Sequence, residues 1–265
     1  MNIHPTALID KEVKLGSNVE VGAYVVIKGE VEIGDNSILK DHSVVYGPLK
    51  MGSGNTVHPG AVLGNISQDL KYKGEVSQVI IGNNNSFREC VTVQQGTIAN
   101  DGKTIIGDNN LIMAYTHIAH DCELGNNVII ANGTQLAGHI HIHDNAYIGG
   151  LVGVHQFVTI GKNCLIGFMS RINKDVPPFV TVEGNPSRER FINAEGLKRK
   201  NFSKEEISLL KKAFAVLFTS GKTHSEKISI LNSDEFKDDK NVKELFLFIK
   251  ASANGKNGRA LEAFR

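Results

Sequence analysis

An aliphatic side chain occupies every sixth position from Ile3 through Ile9, Leu15, Val21, Ile27, Ile33, Leu39, Val45, Met51 and Val57 to Leu63. The series resumes in register at Ile81, Phe87 and Val93, slips by one residue, and runs from Ile106 to Ile172 without a miss. Neither the 3.6 period of an amphipathic helix nor the 2.0 period of a half-buried strand gives a spacing of six. A hexapeptide repeat does, and it specifies a parallel β-helix. Three hexads close one triangular coil, so residues 18 apart stack at roughly 4.8 Å per layer, giving about nine coils and a column on the order of 40 Å tall.

Two further columns accompany the aliphatic one. The next residue is often glycine (Gly16, Gly34, Gly52, Gly82, Gly107, Gly125, Gly149, Gly167), which is read as the demand of a tight corner. The residue two before is usually small or β-branched (Val13, Val19, Val25, Ser37, Ser43, Ala61, Cys122, Ala146, Cys164) and suits a narrow interior.

The charge balance, 29 basic against 28 acidic residues, creates no field that selects nucleic acid or a membrane surface. No apolar run reaches the eighteen residues of a membrane span, and the repeat starts at Ile3 where a leader would lie. A cytoplasmic protein without membrane insertion is expected. The three cysteines have no CxxC spacing, and two of them fill the small-residue column, so no disulfide or metal role is assigned to them.

The repeat ends at Val176-Pro177-Pro178 and Gly184-Asn185-Pro186. The organisation read from this is a β-helix over 1–185 and an α-helical C-terminal domain over 186–265. Ser203-Lys-Glu-Glu206 is a capping box ahead of an apolar helical stripe that should stop near Gly221. Further helices are predicted from about Ser225 to Leu231 and from Asn241 to Ala251. A helical unit of this size needs the β-helix or a neighbouring chain to pack on.

A solenoid extrudes insertions as loops, and binding residues concentrate on loops held by rigid scaffolds. Two breaks qualify: 68–78, with Gln68, Asp69 and Lys71, and 94–105, with Gly96, Asn100, Asp101 and Gly102. Stacking by 18 adds a histidine cluster. The hexads starting at Ile118, Leu136 and Val154 share a column, which brings His120, His139 and His155 to one corner, with Asp121 beside the first and His117 just before it. His141 and His143 are read as solvated turn residues.

Such a patch supports two chemistries. A neutral imidazole can take a proton near pH 7 while a carboxylate fixes its tautomer. Three histidines could instead hold zinc with a water in the fourth position. Hexapeptide zinc hydratases of the γ-carbonic anhydrase type use a His-x-x-x-x-His pair, whereas this chain has His117-Ile-Ala-His120.

The ordered set Gln68-Asp-Leu-Lys-Tyr72, Arg88-Glu89, Gly96-Thr97, His117-Ile-Ala-His-Asp-Cys122, Leu136-Ala-Gly-His139, Val154-His-Gln-Phe157, Asp175-Val-Pro-Pro178, Glu183-Gly-Asn185 and Glu195-Gly-Leu-Lys-Arg199 resembles the UDP-N-acetylglucosamine O-acyltransferases of lipid A biosynthesis. That resemblance implies a left-handed β-helix, a homotrimer with sites between subunits, and no cofactor. It implies transfer of a 3-hydroxyacyl chain from acyl carrier protein to the 3-position of the glucosamine of UDP-N-acetylglucosamine. His120 matches the family's general base, Asp121 its orienting carboxylate, and Gly138 its oxyanion N–H donor. Gln68, Asp69, Lys71, His117, His139, His155, Gln156, Asn193, Glu195 and Arg199 match substrate-binding positions.

Two departures stand out. The usual Arg-Arg pair reads Arg199-Lys200, and lysine keeps the charge but loses bidentate phosphate geometry. Phe168 stands where the family limits acyl length and a small residue is common, so a shortened acyl groove is predicted; the alternative is a ring packed on the helical tail. The basic cluster Lys198, Arg199, Lys200, Lys204, Lys211 and Lys212 suits an acidic carrier protein or is a solvated helix face. A sister N-acyltransferase of the pathway is disfavoured because no room precedes Ile3 for its uridine-binding domain. A purely structural column is disfavoured by the clustered histidines. A sugar with a 3-amino group in place of the 3-hydroxyl remains an open acceptor.

Overall fold

The computed structural model describes residues 2–98, 101–231, 233–255 and 258; Asn100 of the second break lies outside them. Short strands form three sheets of 11, 9 and 8 strands among the described residues, parallel throughout except for the last pair of the first. Partners sit 18 apart, as in Asn2 with Glu20, Leu8 with Val26 and Lys14 with Glu32. The first face reaches a tenth parallel level, one more than the nine coils expected. Hexad residues such as Ile27, Leu63, Ile118 and Leu136 are fully buried. At about 1.5–3 kcal/mol for each such side chain, repetition of this one contact holds the column together.

The small-residue column is interior too. Ser43, Cys122 and Cys164 have no exposed surface, and burial pushes both of those thiols up to about 12, so neither is a nucleophile at neutral pH. In three successive coils this column carries asparagine, which the sequence reading had not singled out. Asn85 Nδ2 donates to Asn55 Oδ1 (3.0 Å), the Asn110 N–H to Asn85 Oδ1 (2.8 Å) and the Val128 N–H to Asn110 Oδ1 (2.7 Å). The remaining amide hydrogens of Asn55 and Asn110 reach the carbonyls of Gly52, Gly82 and Gly125. A buried polar ladder of this kind is tolerated because its members find partners.

The corner glycines correct an expectation. Most of them do not adopt a left-handed φ; that conformation falls two residues later, on Asn36, Asn84, Asn109 and Asn127 at one corner. Glycine is required instead because coils touch there. A Cβ on Gly34 would lie 2.6 Å from the Gly52 carbonyl carbon, and one on Gly82 2.8 Å from the Gly107 oxygen.

Both breaks are extruded at the corner between the second and third faces. Thr56 pairs with Ser86 and Thr92 with His117, separations that exceed the coil length of 18 by 12 and 7 residues. One corner thus carries the first insert, the second insert and then, one coil higher, His120.

The tail begins with a hairpin rather than a helix. Val180–Gly184 extends the first sheet in parallel and turns back as the antiparallel strand Ser187–Ile192, within the segment read as helical from 186. Gly184-Asn-Pro186 is its turn, and the strand forms by pairing on a sheet end, with no periodicity to announce it. Among the described residues four α-helices follow, α1 (Ala194–Arg199), α2 (Lys204–Phe214), α3 (His224–Leu231) and α4 (Lys240–Ala253), with a π-helical turn Ala215–Thr219 continuing α2. The short α1 had no counterpart in the sequence reading. The capping box at Ser203 and Glu206 is formed on both sides. Leu197, Ile207, Leu210 and Leu245 are buried in one core with the coils, while Lys162–Glu244 (2.5 Å) and the Ser252 hydroxyl on Asp175 tie α4 to the column. Among the described residues no helix is long and apolar enough to cross a membrane.

Candidate active site

Three stacked turns build the site. Asp121, His139 and Phe157 take the left-handed conformation in successive coils (φ 60°, 60° and 63°), each turning the chain from the second face to the third. The side chain before Asp121 in the turn, His120, rests on the coil above at Gly138. A Cβ there would meet His120 Cε1 at 2.4 Å and Nε2 at 2.6 Å, so only glycine lets the ring lie flat.

Asp121 is fully buried and lies 2.7 Å through Oδ2 from His120 Nδ1. This contact puts the proton on Nδ1 and leaves Nε2 as the basic nitrogen. The carboxylate is itself held: the Thr97 N–H donates to Oδ1 and the Thr97 hydroxyl to Oδ2, both at 2.7 Å. His139 Nε2 approaches Oδ2 at 3.6 Å, and its ring stacks on Phe157 at 4.4 Å with 3° between the planes. His117 Nδ1 is 2.7 Å from Thr92 Oγ1, and burial, then the neighbouring His120, hold its pKa below the ordinary imidazole value.

The Gly138 N–H has no hydrogen-bond partner among the described residues. At the corner after the third face the equivalent N–H groups are taken by an Asp or Asn of the next coil, as in Ser17 to Asp35 (2.6 Å) and Asn126 to Asp144 (2.7 Å). Above Gly138 the next coil carries Gln156, and among the described residues its side chain makes no such bond to the Gly138 N–H. A free, fixed donor beside a carboxylate-held base suits a developing oxyanion.

His120, Asp121 and His139 also offer ligand atoms within 4.8 Å of one another. The donor set fits a metal poorly, because both oxygens of Asp121 already accept from Thr97 and His120 and would have to give up those bonds.

The structure brings His117, His120, Asp121, Gly138, His139, His155 and Gln156 to one corner. Gln68, Asp69 and Lys71 lie on the insert two coils below it, joined through the Gln68 N–H to Gln94 Oε1 (3.2 Å). Others sit elsewhere in the chain. Phe168 is 64% exposed at the corner between the first and second faces, its ring over Gly150 rather than on the helical tail. Asn193 caps α1 and is committed to the Gly196 N–H and the Asn163 carbonyl. Glu195 is exposed and paired with Lys198 at 2.6 Å, which lowers its pKa. Arg199 is exposed in the last turn of α1. In the basic cluster, Lys198 and Lys212 are neutralised by Glu195 and Glu235. His141 lies in the strand His141–Ile142 rather than in a turn, and His143 packs edge-on with Phe248 of α4, their ring centroids 6.3 Å apart.

Thr97 and Thr104 are what sequence reasoning missed. Thr97 appeared only inside a matched string, and nothing in an insert announces that its side chain turns inward.

A column of hexapeptide coils with a carboxylate-held imidazole at an insert-bearing corner defines an acyltransferase of the hexapeptide class. The family profile for bacterial transferase hexapeptide repeats matches residues 12–47, 103–138 and 139–174. The profile for the second domain of UDP-N-acetylglucosamine O-acyltransferase matches residues 175–257. An acyl-[acyl-carrier-protein]--UDP-N-acetylglucosamine O-acyltransferase of Herminiimonas arsenicoxydans is 44% identical over 96% of this chain and 98% of its own length. One from Gloeothece citriformis is 51% identical over 71% of this chain and 67% of its own. Among solved structures, the UDP-N-acetylglucosamine acyltransferase of Bacteroides fragilis superposes with a TM-score of 0.92 at 39% identity, covering 97% of this chain and 98% of its own. That of Francisella novicida gives 0.90 at 38%, covering 94% and 91%. The chain belongs to the UDP-N-acetylglucosamine O-acyltransferase family.

Proposed function

We propose that this protein transfers a 3-hydroxyacyl chain from the thioester of acyl carrier protein to the 3-hydroxyl of the glucosamine of UDP-N-acetylglucosamine, the opening step of lipid A synthesis. The observation that carries the reading is the His120–Asp121 pair, whose buried carboxylate fixes the imidazole with Nε2 free. His120 takes the hydroxyl proton as the sugar oxygen attacks the thioester carbonyl. The Gly138 N–H receives the oxyanion of the tetrahedral intermediate. Collapse breaks the carbon–sulfur bond, and the imidazolium, steadied by Asp121, returns the proton to the departing thiolate. No covalent acyl-enzyme and no cofactor enter the scheme.

In this reading Gln68, Asp69 and Lys71 hold the acceptor sugar, and His117, His139, His155 and Gln156 line the two substrates. Phe168 limits the acyl chain, while Asn193, Glu195 and Arg199 serve the nucleotide. A homotrimer accounts for their separation, because a second copy set against the histidine corner can supply Phe168 and α1 from its own surface. The exposed apolar side chains of the inserts support this: Leu70 is 102% and Val76 87% exposed in the single chain. The exposed cations Arg199, Lys200, Lys204 and Lys211 suit the acidic carrier protein. Both substrates place the enzyme in the cytoplasm, with the β-helix (1–185) as catalytic unit and the tail (186–265) as docking unit.

The test is mass spectrometry of products from purified protein, UDP-N-acetylglucosamine or its 3-amino analogue, and 3-hydroxyacyl carrier proteins of several lengths. Singly acylated sugar nucleotide that vanishes with His120→Ala is the expected result. Acylation of only the 3-amino sugar would move the acceptor from oxygen to nitrogen. No acylation of either, with tight zinc binding, would overturn the reading in favour of a metal hydratase.

A further inference from the structure

The second insert closes around Asp121 from both ends. Thr97, near its start, is 3% exposed and spends both its N–H and its hydroxyl on the two carboxylate oxygens. Thr104, at its end, is fully buried and accepts the Asp121 N–H at 2.9 Å. This is a substitution for the ordinary coil contact. In the next two coils the equivalent N–H, of His139 and of Phe157, donates at 3.1 Å to a backbone carbonyl one coil below, that of His120 and of Gly138. The Gly102 N–H returns to the Thr97 carbonyl at 2.9 Å, and a Cβ on Gly96 would fall 2.2 Å from the Lys103 nitrogen. The two ends of the insert are thereby drawn together beneath the carboxylate.

We infer that Thr97 is a positioning residue for the transfer reaction, acting through Asp121, and that the second insert exists in part to supply it. The inference rests on the reading of His120 as general base. A buried carboxylate with one imidazole partner can rotate or pull harder on the proton it shares. Thr97 blocks both, since two fixed donors orient the carboxylate plane and take up part of its charge. What remains directed at His120 Nδ1 holds the tautomer, and Nε2 stays free to take the hydroxyl proton and return it to the thiolate.

Removal of the hydroxyl in Thr97→Val leaves Oδ2 with His120 as its close donor. The expected loss in kcat is roughly tenfold, the rate equivalent of one hydrogen bond to a charged group, with KM for the sugar nucleotide little changed. The acid limb of the kcat profile should move to higher pH, because a less neutralised carboxylate favours the imidazolium. Thr97→Ser, which keeps the hydroxyl, should restore both rate and profile. Thr97→Ala serves as the second variant should the valine fail to fold. Wild-type kcat and an unmoved acid limb in either hydroxyl-free variant, or a serine variant as impaired as they are, would overturn the inference. Wild-type protein that acylates neither sugar defeats the underlying reading instead, so the two failures are distinguishable.

Discussion

The contact between His120 and Gly138 gives the sharpest quantitative expectation. Gly138 lies outside the left-handed region, so alanine suits its backbone and should gain about 0.4–1 kcal/mol by restricting the unfolded chain. The added methyl, however, would sit 2.4 Å from His120 Cε1, about 1 Å inside the 3.4 Å at which ordinary contact begins. The coil backbone cannot retreat, because its hydrogen bonds hold it on both sides, so the ring must. The movement that relieves the clash carries Nδ1 away from its 2.7 Å contact with Asp121. Misplacement of a catalytic group by 1 Å costs on the order of 10²-fold, about 2.7 kcal/mol of barrier. Gly138→Ala should therefore lose roughly 100-fold in kcat while its melting temperature stays within a few degrees of wild type. Steady-state kinetics with the sugar nucleotide and acyl carrier protein, beside a thermal melt, make the measurement. Activity within about threefold of wild type, below any 1 Å penalty, would refute the steric argument. So would a collapse in stability, which would show the clash relieved by the coil rather than by the ring.

Asp121→Asn keeps the shape but can present the wrong partner to Nδ1, and a fall of at least about 10³-fold in kcat at unchanged fold is expected. Burial, then the nearby Lys40 and Arg88, hold the pKa of His58 below the ordinary value of 6.5 against an opposing pull from Glu89. The unfolded chain then binds a proton that the native protein refuses, so stability should decline as pH falls through about 6.5. His58→Gln should flatten that decline in melts taken across pH 5 to 8, a range set around the imidazole value; an unchanged slope would remove His58 as its source. Phe168→Gly should shift preference toward longer 3-hydroxyacyl chains in a competition of carrier-protein thioesters, and an identical product ratio would place the ring outside the acyl path. Ser203→Ala should cost about 1 kcal/mol of stability through the lost cap of α2, read from denaturant unfolding.

The coil was legible because its signal is long-range and redundant: one hexad resembles a loop, but Ile118, Leu136 and Val154 at spacings of 18 cannot. The same arithmetic found the histidine corner, since His120 and Gly138 are 18 apart. It failed where an insert breaks the count. Thr97 is 24 residues from Asp121 and Thr92 25 from His117, so neither partner could be read from the repeat. The corner glycines were located correctly but for the wrong reason, because close approach between coils depends on neighbours that local sequence does not name. The hairpin at Val180–Ile192 escaped notice since its second strand, Ser-Arg-Glu-Arg-Phe-Ile, has no clean alternation and is stabilised by the sheet end it joins.

The asparagine ladder of Asn55, Asn85 and Asn110 acts as a keyway. Asn55 and Asn85 fall in the two coils that the inserts lengthen and Asn110 in the coil above them, all beside the corner between the third and first faces, away from the loops. Interchangeable aliphatic layers would tolerate a coil that settles one hexad out of step, at little cost in burial. Directional amide bonds do not, because a slipped coil would leave an interior amide without partners. The alignment of the column is thus uncoupled from the lengths of the loops, so the first insert can vary, and the second can too outside the Thr97 and Thr104 contacts to Asp121, while the turns that carry His120 and Gly138 keep their place.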